Sequence, residues 1–90
     1  QRDDTVTVIP ATLPEAELAR RLAGCDSAAI IKLGRHAAKV QKILAALGLL
    51  DAAIYVERAS QPRERVAPLA EIDPASIPYF AMALVRRDRR

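Results

Sequence analysis

Ala28-Ala29-Ile30-Ile31-Lys32-Leu33-Gly34-Arg35-His36 is the stretch on which the fold turns. Ala28, Ala29, Ile30, Ile31 and Leu33 leave only Lys32 polar before Gly34. A short apolar run closed by a glycine reads as a strand buried on both faces, although periodicity alone leaves a helix open. The residues that follow favour the strand. Val40, Ile43, Leu44 and Leu47 fall at i, i+3, i+4 and i+7, the clearest helical spacing in the chain. The order is strand, glycine elbow, helix. In open α/β sheets, ligands gather outside the carboxyl ends of strands. Lys32, Leu33, Gly34, Arg35 and His36 are therefore the first place to look for function.

Towards the N-terminus, residues 5–9 (Thr5-Val6-Thr7-Val8-Ile9) alternate polar and apolar, a strand that Pro10 closes. Thr12-Leu13-Pro14-Glu15 fits a capping box, with Pro14 tolerated because a first turn needs no amide donor. The helix expected over residues 14–23 carries Leu18, Ala19 and Leu22 on one face, sets Glu17 in reach of Arg21, and stops at Gly24.

Downstream, the helix expected over residues 37–47 turns Lys39, Gln41 and Lys42 to solvent. Gly48 stands where a left-handed cap belongs, with Leu49 placed to fold back on Leu44. Residues 53–58 read as a third strand, broken at Ser60-Gln61-Pro62, and residues 65–67 as a short fourth. Asp73-Pro74 and Pro78 bracket a turn-rich connection. Residues 79–85 read as a last strand with Phe80, Met82 and Leu84 on one face. This order implies an α/β domain: a mixed sheet of four to five strands, parallel at first and antiparallel at the end, with two main helices packed on it. We assign residues 1–4 to a frayed segment, 5–85 to the domain and 86–90 to a basic tail.

Ninety residues make one small domain, which buries about 60–65% of its unfolded surface. Half the residues are hydrophobic, but eighteen are alanines and three are aromatic, so the core is built of small pieces. The net charge of +3 comes from the end: Arg86, Arg87, Arg89 and Arg90 outweigh Asp88, while the other 85 residues carry ten basic and ten acidic side chains. A basic end without a basic face argues against nucleic acid. Cys25 stands alone, which excludes an intrachain disulfide and fits a reducing compartment. With no apolar run of about 18 residues and no signal-peptide pattern, a soluble cytoplasmic domain away from membranes is expected. The chain opens on Gln1 instead of methionine, so a cut or processed polypeptide is also expected.

The catalytic inventory is thin. Three dispersed glycines make neither a dinucleotide fingerprint nor a phosphate loop, and one His with one Cys does not make a usual zinc site. No catalytic residue and no metal ligand is assigned. His36 reads most simply as an exposed first-turn histidine. Lys32 either snorkels to the rim of the sheet or faces a ligand. Arg58 beside Glu57 is a strand-end charge, and Tyr79 with Phe80 reads first as core packing.

Four segments carry more than their chemistry. Ile31-Lys32-Leu33-Gly34-Arg35-His36, Tyr55-Val56-Glu57-Arg58-Ala59-Ser60, Ala67-Pro68-Leu69 and Ile77-Pro78-Tyr79-Phe80, in that order and at those intervals, resemble the C-terminal half of the tetrapyrrole methylases. The likeness runs from about Val6 to Val85 and is strongest to the branch that methylates precorrin-2 at C-20 in cobalamin biosynthesis.

The resemblance implies a homodimeric, two-domain enzyme that binds S-adenosylmethionine in a trough between its domains, with the tetrapyrrole above it. This chain would be the second domain, inactive without the first. Carried over by position, the cofactor contacts are Lys32 and Leu33 after the central strand, Arg58 and Ala59 after the third, and Pro78, Tyr79 and Phe80 entering the last, many of them through main chain. The alternatives left open are a binding or dimerisation module without catalysis and a sister methylase acting on another carbon or on cobalt-precorrin-2.

Overall fold

The computed structural model of the chain describes residues 6–58 and 61–87. Five strands alternate with two helices and short 3-10 turns: β1 Thr7–Pro10, α1 Glu15–Ala23, β2 Ser27–Ile31, α2 Ala37–Ala46, β3 Ala53–Glu57, β4 Arg65–Pro68 and β5 Met82–Arg86. They form one mixed sheet in the order β1-β2-β5-β3-β4. β1 and β2 are parallel, whereas β5 runs antiparallel to both β2 and β3, and β4 antiparallel to β3. The last strand is thus inserted between the second and third. That insertion brings the carboxyl ends of β2 and β3 to either side of the amino end of β5.

The sheet is covered on one face. Ile9, Ile30, Ala83 and Tyr55 are register neighbours across four strands, all buried, and pack in one core with Leu18 and Leu22 of α1 and Val40, Ile43 and Leu44 of α2. The opposite row, Val8, Ala29, Leu84 and Ile54, stays open, with Val8 58% and Leu84 41% exposed. β2 is therefore not buried on both faces as its apolar run suggests; Ala28 and Ile30 are buried, while Ala29 and Ile31 are half-buried. Both described helices lie on the other side.

The helix ends sort the local expectations. After α2, Gly48 takes φ +73°, and Leu49 N–H reaches the Leu44 carbonyl at 2.8 Å, the expected left-handed ending. The capping box does not form. Pro14 is the N-cap of α1 and no side chain caps it. Thr12 thus stands two residues before the cap, and Glu15 instead pairs with Lys42 of α2 at 2.7 Å. Glu17 does pair with Arg21, at 2.7 Å.

Two lysine-face assignments also change. Lys39 donates to the Leu13 carbonyl at 2.7 Å, and Gln41 Nε2 donates to the carbonyls of Leu69 and Ile72 at 3.0 Å each. Only Lys42 of the three is exposed. The segment 69–72 folds over this flank of α2 and brings its carbonyls, which need donors.

The basic end is partly structured. Arg86 closes β5 opposite Ser27. Arg87 donates to the carbonyls of Leu22 and Ala23 in the last turn of α1 and of Cys25 just beyond it, where the helix runs out of its own amide donors. The described part of the expected tail, residues 86–87, is bound to the domain. No helix among the described residues is long and apolar enough to cross a membrane.

Candidate functional site at the strand ends

At the end of β2 the chain turns through Lys32, which takes φ +58°; at the end of β3 it turns through Arg58, at φ +54°. They are the described non-glycine residues with positive φ. Such backbone costs about 1–3 kcal/mol per residue and collects at functional sites. Both side chains are exposed. Leu33 differs: its side chain is fully buried, its N–H donates to the Ala81 carbonyl at 3.0 Å, and its carbonyl accepts from His36 N–H at 2.7 Å. Leu33 ties the end of β2 to the entry of β5.

That entry is a turn, not a strand. Ala81 N–H donates to the Pro78 carbonyl at 3.1 Å, and pairing starts only at Met82. Tyr79 and Phe80 are therefore not core residues. They are 49% and 80% exposed, in an edge-to-face pair with centroids 4.9 Å apart. Tyr79 lies against Gly34, whose φ is +31°.

Between the end of β3 and this turn lies a recess of about 330 Å³, walled by Glu57, Arg58 and Gln61 on one side and residues 78–81 on the other. Glu57 is held from both oxygens: the Tyr55 hydroxyl donates to Oε1 and Arg58 Nη1 to Oε2, each at 2.6 Å. Burial, helped by the Glu57 carboxylate, pushes the Tyr55 phenol well above its ordinary range and keeps it a donor. Beside the site, His36 is held below its ordinary value by burial and then by Lys39 and Arg35.

Lys32, Leu33, Arg58, Pro78, Tyr79 and Phe80 thus stand along one edge of the sheet, while Ala59 lies outside the described residues. Glu57, Gln61 and Tyr55 were missed as parts of this site. Tyr55-x-Glu57 carried a usable signal, since residues two apart on a strand share a face and a buried phenol needs a partner.

No protein-family model matches the chain. Among characterised proteins, CobIJ of Mycobacterium tuberculosis, a cobalamin biosynthesis protein, is 49% identical over 88 residues, 98% of this chain and 17% of that protein. Precorrin-2 C(20)-methyltransferase of Sinorhizobium is 46% identical over 85 residues, 94% of this chain and 35% of that enzyme. Over nearly its whole length the chain is thus similar to a cobalamin biosynthesis protein and to a precorrin-2 C(20)-methyltransferase. Cobalt-precorrin-2 C(20)-methyltransferase of Salmonella typhimurium matches at 35% identity, over 92% of this chain and 36% of that enzyme. The chain spans about a third or less of the length of these relatives. The crystal structure of the methyltransferase CobJ superposes with a TM-score of 0.63 at 17% identity, over 94% of this chain and 43% of that one, and so shares the fold. The resemblance read from the four segments holds, and so does the α/β mixed sheet with two helices.

Proposed function

We propose that this chain is the cofactor-facing part of an S-adenosylmethionine-dependent methyltransferase that methylates precorrin-2 at C-20. The observation that carries the reading is the convergence, at one sheet edge, of Lys32 and Leu33, of Arg58, and of residues 78–80. Two of these segments turn through strained left-handed residues and the third exposes two aromatic rings. The cofactor contacts are Lys32, Leu33 and Arg58 with Pro78, Tyr79 and Phe80, and Ala59 by its position after Arg58.

The residues fit one edge of such a cofactor. Tyr79 and Phe80 offer exposed aromatic surface on which a purine packs. A recess of about 330 Å³ lies at the small end of ligand sites, room for part of the cofactor. S-adenosylmethionine supplies an electrophilic sulfonium methyl. What the protein must add is chiefly alignment with a nucleophilic carbon of the tetrapyrrole, which requires no protein nucleophile. That suits a site of backbone turns and rings without a catalytic dyad. The higher identity to the precorrin-2 enzyme than to the cobalt-precorrin-2 enzyme favours the metal-free substrate. A cytoplasmic homodimer completes the reading.

The test is methyl transfer from S-adenosylmethionine to precorrin-2 by the full-length polypeptide. Turnover is expected, with Phe80→Ala and Tyr79→Trp weakening cofactor binding. A full-length protein that binds neither ligand would instead leave a module without catalysis.

A further inference from the structure

Arg58 needs an explanation that its own backbone does not give. A left-handed residue at the end of a strand carries a long side chain out of the sheet, and four rotatable bonds leave its direction free. The direction is fixed by the residue before it. Glu57 accepts Arg58 Nη1 on one oxygen and the Tyr55 hydroxyl on the other, each at 2.6 Å. Tyr55 is fully buried, at the β3 end of the core row, so its ring cannot move without the core. Glu57 is 12% exposed and Arg58 47% exposed, so the chain of contacts runs from the interior to the recess in two steps. Arg65, the cross-strand neighbour of Glu57, stands over the Tyr55 ring at 5.9 Å from its centroid.

We propose that Tyr55 and Glu57 are positioning residues that hold the Arg58 guanidinium at the recess between β3 and the turn at 78–81, where it meets a carboxylate of the bound ligand. The inference rests on the reading of this edge as the ligand site and adds what aims its cation. A guanidinium has five N–H donors in a planar fork. One Nη1 donor is engaged by Glu57, which leaves others for a second carboxylate. The Tyr55 hydroxyl draws on the charge of Glu57, so that the arginine is held without being fully neutralised. Two ligand carboxylates fit this chemistry, the amino-acid end of the cofactor and an acid side chain of the tetrapyrrole.

The experiment is a double-mutant cycle on the full-length protein with Tyr55→Phe, Arg58→Ala and the pair. S-adenosylhomocysteine and 5′-methylthioadenosine, which lacks the amino-acid carboxylate, are titrated by calorimetry, and KM and kcat are measured for precorrin-2. Tyr55→Phe keeps the ring in the core and removes only the donor. It is expected to weaken the carboxylate-bearing ligand about tenfold, more in Kd or KM than in kcat, and to add nothing once Arg58 is alanine. A loss for S-adenosylhomocysteine alone assigns the cofactor carboxylate; a loss confined to precorrin-2 assigns the tetrapyrrole.

Equal losses with and without Arg58 would make Tyr55 merely structural and overturn the proposal, as would no loss at all. If Arg58→Ala changes neither ligand, the cation is not in the site, and the wider reading fails at this residue together with the inference. Should Tyr55→Phe not fold, Glu57→Gln, which still accepts from the phenol but gives up the charge that orients Arg58, runs the same cycle.

Discussion

A Cβ on Gly34 would stand 3.1 Å from the Cα of Tyr79 and 3.3 Å from its Cδ1. The elbow after β2 and the turn before β5 are thus in contact through a missing side chain. Their spacing sets the shape of the strand-end edge.

Gly34→Ala is expected to destabilise the protein by about 1–3 kcal/mol, the usual cost of a strained non-glycine backbone. The nearest atom is backbone, so the Tyr79 turn must move instead of a flexible side-chain tip. Urea unfolding reads the first effect. Calorimetry on the full-length protein should show weaker cofactor binding, and a variant with unchanged stability and affinity would uncouple this contact from the site.

What was legible in the sequence was local. The β2 strand, the periodicity of α2 and the Gly48 ending depend on residues within a few positions of one another and stand as read, whereas the burial of β2 on both faces, which depends on what covers the sheet, does not. What was not legible depends on partners far along the chain. The insertion of β5 between β2 and β3 follows from no local pattern, yet it alone gathers Lys32, Arg58 and Tyr79 at one edge. Phe80 continues the apolar alternation of β5, but the turn closed by Ala81 N–H takes it out of the sheet. Lysine and arginine do not announce left-handed backbone as glycine does, so the strain at Lys32 and Arg58 had no mark in the sequence. Three of the four family segments carry residues of this edge, while Ala67-Pro68-Leu69 lies at the other end of β3, and the contacts that shape the edge came only with the fold.

The flank of α2 separates three kinds of residue. Leu44 is fully buried, so Leu44→Ala should cost about 2–5 kcal/mol. Gln41→Ala strips the donors from two backbone carbonyls in the 69–72 segment and should cost about 1–3 kcal/mol. Lys42→Ala loses only an exposed ion pair with Glu15 and should cost less than about 1 kcal/mol. Thermal or urea unfolding ranks them; a Gln41 variant as stable as the Lys42 variant would show that water serves those carbonyls equally well.

Arg87 binds three carbonyls at the C-terminal end of α1. Arg87→Ala should therefore cost about 1–3 kcal/mol, as for hydrogen bonds made by a charged group. Hydrogen exchange should quicken in the last turn of α1 and in β5. If exchange changes nowhere near residues 22–25, the arginine does not hold that helix end.

His36 gives a pH dependence whose sign follows from its surroundings. It is half-buried at the start of α2, and burial first, then the charges of Lys39 and Arg35, hold its pKa below the ordinary 6.5. In the unfolded chain it titrates near 6.5, so between the folded value and 6.5 the unfolded state binds more protons. Stability then rises with pH across that window. The contribution is complete above 6.5 and is lost as pH falls through the folded value. Glu17, whose carboxyl is lowered by its hydrogen bonds to Arg21 and Arg20, loses its contribution only in the acid range below 4.5. The two effects are therefore separable. His36 is the only histidine of these 90 residues, so in this chain one imidazole resonance reports the titration directly. Its midpoint should fall below 6.5 and rise part of the way back in Arg35→Ala, because burial, the larger cause, remains. His36→Asn should flatten the urea midpoint between about pH 5 and 7. A midpoint at or above 6.5, or a slope that survives removal of the imidazole, would place the pH dependence elsewhere in the protein.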